Sequence, residues 1–172
     1  MKFDKKIVSK KTKWTFKKNS VVNHFDEHIT KSVPHYQESQ NLVTSLSTFF
    51  LKDGGNFFDL GCSTGTLIEK VQNKNQEVNV KYIGIDNSKQ MIKFAKKKKL
   101  KNNNFLIKDI AKENFKNADM VVSMFTMQFI TPKHRQKIFN NIYKSLNWGG
   151  SLILFEKIRG GDARFQDIFN FL

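Results

Sequence analysis

Between Phe58 and Gly65 the chain reads Phe-Asp-Leu-Gly-Cys-Ser-Thr-Gly, a string that three different chemistries could use. Gly61-Cys62-Ser63-Thr64-Gly65 spells a hydrolase nucleophile elbow, where a serine on a strand-to-helix turn is activated by a histidine that an acid orients. The same glycines suit the turn that opens a helix beneath a nucleotide. The elbow fails on its partners. Of His24, His28, His35 and His134 only the last follows the serine, and it falls at a helix start rather than on a loop after a late strand. An elbow also normally follows several strands, whereas this string follows what reads as the first.

A nucleoside site fits better. A strand, a tight glycine turn and a helix amino terminus put N–H groups and partial positive charge at the carboxyl edge of a sheet. Gly61 is expected to permit close approach of a ligand, and Gly65 to let the helix pack on the strand. Asp86 ends the second apolar run, where a carboxylate accepts both hydroxyls of a ribose; Ser88 is already available as the helix cap. Asp59, just before the turn, decides what the nucleoside carries. It would repel a pyrophosphate and attract the sulfonium and ammonium of S-adenosyl-L-methionine (SAM). Asp109 would then accept from the adenine amine and Ile110 pack on the ring. Met124, Phe125 and Gln128 would line the floor near the methyl group. Tyr36 would position a substrate at the pocket edge, and Cys62 reads as a small packed side chain. No His, Cys or Asp cluster has ligand spacing, so no metal is expected.

These residues need a frame. The residues up to Asn19 read as a Lys-rich arm, with Trp14 and Phe16 as anchors. Residues 20–172 read as one SAM-binding domain: a helical cap over 20–52, an α/β core over 53–158 and a partial carboxy-terminal helix over 162–172. In the cap, Val22, Phe25 and Ile29 follow the cap-like Ser20 at helical spacing, and Tyr36 to Phe50 reads as a second helix. In the core, strands are predicted at 56–60, 80–85, 104–107, 119–125 and 151–155. Helices follow the first, second and fourth, the last beginning at Thr131-Pro132 and ending at Asn147-Trp148-Gly149-Gly150. Alternating strands and helices imply a Rossmann-like, doubly wound, mostly parallel sheet. The fourth and fifth strands, continuously apolar, should be buried on both faces.

Composition bounds the rest. With 172 residues and 17 Phe the chain can build one well-filled core. One cysteine, Cys62, excludes a disulfide framework. No stretch reads as a signal peptide or membrane span, so a cytoplasmic protein is expected. Thirty Lys+Arg against 15 Asp+Glu give +15, a charge that attracts polyanions. No basic stripe interleaves with aromatics along the sequence, so nucleic acid is a permitted partner but not the favoured one.

The motifs taken together resemble the class I SAM-dependent methyltransferases, and among them the carboxy-S-adenosyl-L-methionine synthases of tRNA wobble-uridine modification. The matching segments are residues 14–16, 24–36, 58–65, 84–92, 125–150 and 154–157. The resemblance implies that SAM, or its carboxylated form, contacts Tyr36, Gly61, Cys62, Ser63, Asp86, Asn87, Asp109 and Ile110. It further implies that carbon dioxide from prephenate is captured on the SAM methyl, and that the protein is dimeric. Two departures accompany it. Met124 stands where the family has an asparagine, and the family continues beyond the position of Leu172 with an arginine for the added carboxylate and further strands. The expectation is a fragment, or a fifth-strand edge covered by another chain, with a homodimer as one such cover.

Overall fold

In the computed structural model, which describes residues 22–158 and 160–171, five parallel strands form one sheet in the order β3-β2-β1-β4-β5. The basic arm, Ser20 and Arg159 lie outside the described residues. The strands are β1 (Asn56–Leu60), β2 (Lys81–Asp86), β3 (Asn103–Ile107), β4 (Ala118–Met124) and β5 (Leu146–Phe155). The helices are α1 (Phe25–Ser32), α2 (Tyr36–Phe50), α3 (Thr66–Lys74), α4 (Lys89–Lys96), α5 (Pro132–Ser145) and α6 (Ala163–Phe171).

Side-chain alternation along β1 divides the core. Phe57 enters a cluster with Val43 of α2, Ile68 of α3 and Ile92 of α4, while Phe58 and Leu60 enter a second with Ile138 and Ile142 of α5. Each fully buried Leu or Ile in these layers contributes about 1.5–3 kcal/mol of apolar burial. Asp59, between two inward Phe and Leu positions, shares the face of Phe57 and therefore looks toward α2. From β1 the chain steps outward to β2 and β3, then returns to the other side of β1 for β4 and β5. This reversal opens a crevice above the carboxyl ends of β1 and β4, where ligands bind in open α/β sheets.

The fifth strand departs from expectation twice. It begins at Leu146, paired with Ala118, so Asn147–Gly150 belongs to the strand and not to a helix end. The cause is contact with β4: a Cβ on Gly150 would lie 2.9 Å from the Ala118 carbonyl, so the glycine lets this stretch hug its neighbour. β5 is an edge, as expected, and its burial is the second departure, with Leu154 43% exposed rather than covered on both faces. The fourth strand is buried along its length as expected and stops at Met124, because Phe125 turns to φ 53.

Candidate functional site

The crevice is a cavity of about 350 Å³ lined from four directions. The turn after β1 supplies its floor. Gly61 and Cys62 both donate backbone N–H to the Ile85 carbonyl, at 2.8 and 3.1 Å, tying the turn to the end of β2. Ser63 adopts the left-handed conformation, φ 47, which aims its N–H at Asp86 Oδ2, 3.0 Å away. Asp86 Oδ1 accepts from the Ser88 N–H at 2.8 Å, and Ser88 Oγ caps α4 by accepting from Met91. Asp86 is thus locked by two amides. A carboxylate has about four acceptor positions, so two remain for a diol.

Gly61 needs no side chain for a different reason than expected. It sits at φ 83, and a Cβ there would lie 2.2 Å from Thr126 Oγ1, so the glycine admits the loop after β4 rather than a ligand. Gly65 does not line the cavity. Its missing Cβ makes room for Phe105 of β3 and Ala95 of α4 behind the turn. Tyr36, Asp59, Cys62, Ser63, Asn87, Asp109, Ile110, Met124, Phe125 and Gln128 all reach the lining, as do Gly61 and Asp86.

The electrostatics are those of a cation site. Asp59 is 3% exposed, and no lysine or arginine among the described residues pairs with it. Burial, and then the Asp86 carboxylate, push its pKa up to about 7. Burial also raises Asp86, partly offset by its amides at Ser88 and Ser63. A buried carboxylate at 59 and a half-buried one at 86, with no compensating cation among the described residues, fit a ligand that brings positive charge. They do not fit a pyrophosphate. The turn's amides at 61–63 are already spent, and the amino end of α3 is filled by the protein's own Asp26, which accepts from Thr64 Oγ1 at 2.6 Å and Thr66 Oγ1 at 3.1 Å. The sulfonium, ammonium and ribose of SAM match what is left over.

Around this centre, Tyr36 accepts from Gln40 Nε2 at 3.1 Å, and its ring lies 6.0 Å from that of Phe125. Burial and then Asp59 hold its phenol above the ordinary range, so it keeps its proton as a donor. The Cys62 thiol is likewise pushed up by burial, which makes it packing rather than nucleophile. At the exposed rim, Asp109 gives one oxygen to the Ala111 N–H at 3.0 Å and faces the cavity beside the buried Ile110. His134 lies outside the lining that includes Ser63, as the failed elbow requires.

Two residues of the site were missed from sequence. Asp26 pins α1 over the cavity, bringing Phe25, His28 and Ile29 into the lining. Glu156, just past β5, accepts from the N–H groups of Thr126, Met127 and Gln128 at 2.9, 2.6 and 3.1 Å, and so shapes the turn that carries Gln128. Their only sequence signal was membership in the matching segments 24–36 and 154–157.

Known proteins agree with this fold. The methyltransferase domain family matches residues 57–150. The chain is 39% identical over 158 residues to carboxy-S-adenosyl-L-methionine synthase of Staphylococcus epidermidis, an alignment covering 91% of this chain and 69% of the relative. It is 36% identical to the protein of the same name from Ruthia magnifica, over 86% of this chain and 64% of that one. The chain therefore spans about two thirds of the length of these relatives. Phosphoethanolamine N-methyltransferase 2 of Haemonchus contortus in complex with SAM superposes with a TM-score of 0.65 at 18% identity, over 93% of this chain and 40% of that one. The DhpI complex with SAM and HEP does so at 0.63 and 14%, over 88% and 67%. The chain belongs to the SAM-dependent methyltransferase family, in its carboxy-S-adenosyl-L-methionine synthase branch, and is a SAM-dependent transferase.

Proposed function

We propose that the crevice binds SAM through Asp59, Asp86 and Asp109 and presents its sulfonium methyl to a small-molecule partner between Tyr36, Met124, Phe125 and Gln128. The observation that carries this reading is the buried carboxylate at 59 with the half-buried one at 86 beside it, neither with a cation of its own among the described residues. SAM supplies the activated methyl. The chain's own residues neutralise the cation, fix the ribose and exclude water, so catalysis rests on positioning and desolvation more than on a dedicated base. In its specific form the reaction carboxylates that methyl with carbon dioxide from prephenate, within tRNA modification in the cytoplasm. The likeness to the synthases supports this. A second copy pairing with the carboxyl half of β5, around the exposed Leu154, fits the same reading.

A plain methyl transfer is the second reading, favoured by the charge of the lining. Its one lysine, Lys108, is paired with Glu113 at 2.8 Å, and Met124 offers a thioether where the family has a polar group, so the pocket is built for a cation more than for an added carboxylate. Calorimetric titration with SAM tests the shared core; micromolar affinity is expected, about −8 kcal/mol. Mass spectrometry after incubation with SAM and prephenate then separates the readings. A product heavier than SAM by one carboxylate supports the synthase, and unmodified SAM with prephenate consumed by no one supports methyl transfer to another acceptor.

A further inference from the structure

The edge of the sheet opposite the crevice has a character the sequence hid. Three aromatic side chains there face solvent: Phe49 in the last turn of α2 is 81% exposed, Tyr143 in the last turn of α5 is 80% exposed, and Trp148 at the start of β5 is fully exposed. Nothing in the core uses them. Lysines stand at the strand starts and helix ends of the same edge, among them Lys52, Lys81, Lys99, Lys101, Lys116 and Lys144, all exposed. The exposed acids of the same edge are few; Asp53 is committed to the Asn79 N–H at 2.7 Å.

Hydrogen bonds join these residues into one strip. Asp119, buried at the start of β4, accepts from the Asn56 N–H and from Asn147 Nδ2, both at 2.9 Å, and lies 3.9 Å from Lys52 Nζ. That links the Phe49–Lys52 corner to the Tyr143–Trp148 corner. From Asn56 the strip continues as a polar groove lined by Gly54, Gly55, Asn79, Lys81 and Asn102, reaching β3 beside Lys99 and Lys101. Five strands at about 4.8 Å spacing make it about 19 Å long.

We infer that this amino-terminal edge is a docking strip for single-stranded nucleic acid, with lysines on the phosphates, Phe49, Tyr143 and Trp148 as stacking platforms, and the asparagines facing base edges. Spaced cations with exposed aromatic faces and amide side chains are the combination that unpaired bases recognise. The crevice edge mixes its charges: Asp26, Asp59, Asp86, Asp109 and Glu156 stand there with the exposed Lys89, Lys108 and Lys112, whereas lysines outnumber acids at the amino edge, where Glu77 is exposed. A membrane would be met instead by clustered apolar side chains, but the groove that continues the strip from β1 to β3 is mostly glycine and asparagine, with Lys81 and Val80.

The test uses the full chain and a fluorescein-labelled, mixed-sequence RNA 16-mer, with DNA of the same sequence and an RNA duplex as further probes, read by anisotropy from 50 to 300 mM salt. Saturable RNA binding is expected, with log affinity falling against log salt at a slope of about −3, for about four phosphates. Trp148→Ala and Tyr143→Ala should each weaken it about tenfold at fixed salt without changing the slope. Lys52→Gln with Lys81→Gln and Lys101→Gln should flatten the slope by about 2. SAM affinity, measured alongside, should be unchanged in all of them, which also shows that they fold. A preference for RNA over DNA assigns the partner as RNA, and equal binding assigns single strands of either kind. No binding at 50 mM salt overturns the inference. So do aromatic variants that bind like the parent, tighter binding to the duplex than to single strands, or displacement of the RNA by phosphatidylserine vesicles.

Discussion

The two edges of this sheet are made from the same chain with opposite logic. At the carboxyl edge Asp59 is buried beside the half-buried Asp86 with no cation of their own among the described residues, so the protein waits for one. At the amino edge, lysines and aromatics are exposed and lose nothing by waiting. The difference shows in how each edge tolerates change. A buried carboxylate is held by turn amides, helix caps and glycines that leave no slack, whereas an exposed lysine can be exchanged with little cost to the fold. Specific recognition is concentrated where the backbone is most constrained.

The strongest way to break this contrast is at Gly61. Gly61→Ala must place a Cβ on Thr126 at positive φ, so a loss of ~3 kcal/mol in urea unfolding is expected, together with loss of SAM binding. Next is Asp86→Ala, which removes the diol acceptor while the cavity persists. SAM affinity should fall by at least ~1.5 kcal/mol by calorimetry, with a smaller change in stability. Third is pH. A carboxyl raised to about 7 when folded stabilises the SAM-free protein most at low pH, and that contribution is lost as pH rises toward 7. Binding a cation needs the ionised form, so SAM affinity should climb about fivefold between pH 6 and 7, about tenfold by pH 8, and level off above that. Asp59→Asn should bind weakly and lose that rise. The smallest effect belongs to the other edge: Lys52→Gln, 3.9 Å from Asp119 but largely exposed, should leave stability within ~0.5 kcal/mol and SAM affinity unchanged.

What could be read from sequence was what lies close along the chain. β1, the glycine turn, the Ser88 cap and the Pro132 helix start each follow from a few neighbouring residues, and the structure places Asp59 and Asp86 in one crevice because parallel strands end together. What escaped was long-range. Asp26 meets Thr64, and Glu156 meets Thr126, only after the chain has crossed the sheet. The early start of β5 came from pairing with Ala118, which overrides the turn preference of Trp148-Gly149-Gly150. Phe49, Lys52 and Trp148 form no stripe in the sequence; the topology gathers them where strands begin. Gly61 illustrates the limit differently. Its identity was legible, but the neighbour that demands it was not.

Glu156 carries a practical consequence for anyone trimming this domain. Its two oxygens hold three successive amides of the segment carrying Met127 and Gln128, so the wall of the donor pocket is secured from a residue beyond the final strand. A version cut at Phe155 would keep β1 to β5 and still slacken the turn that carries Gln128, because that turn is held by a carboxylate and not by the sheet.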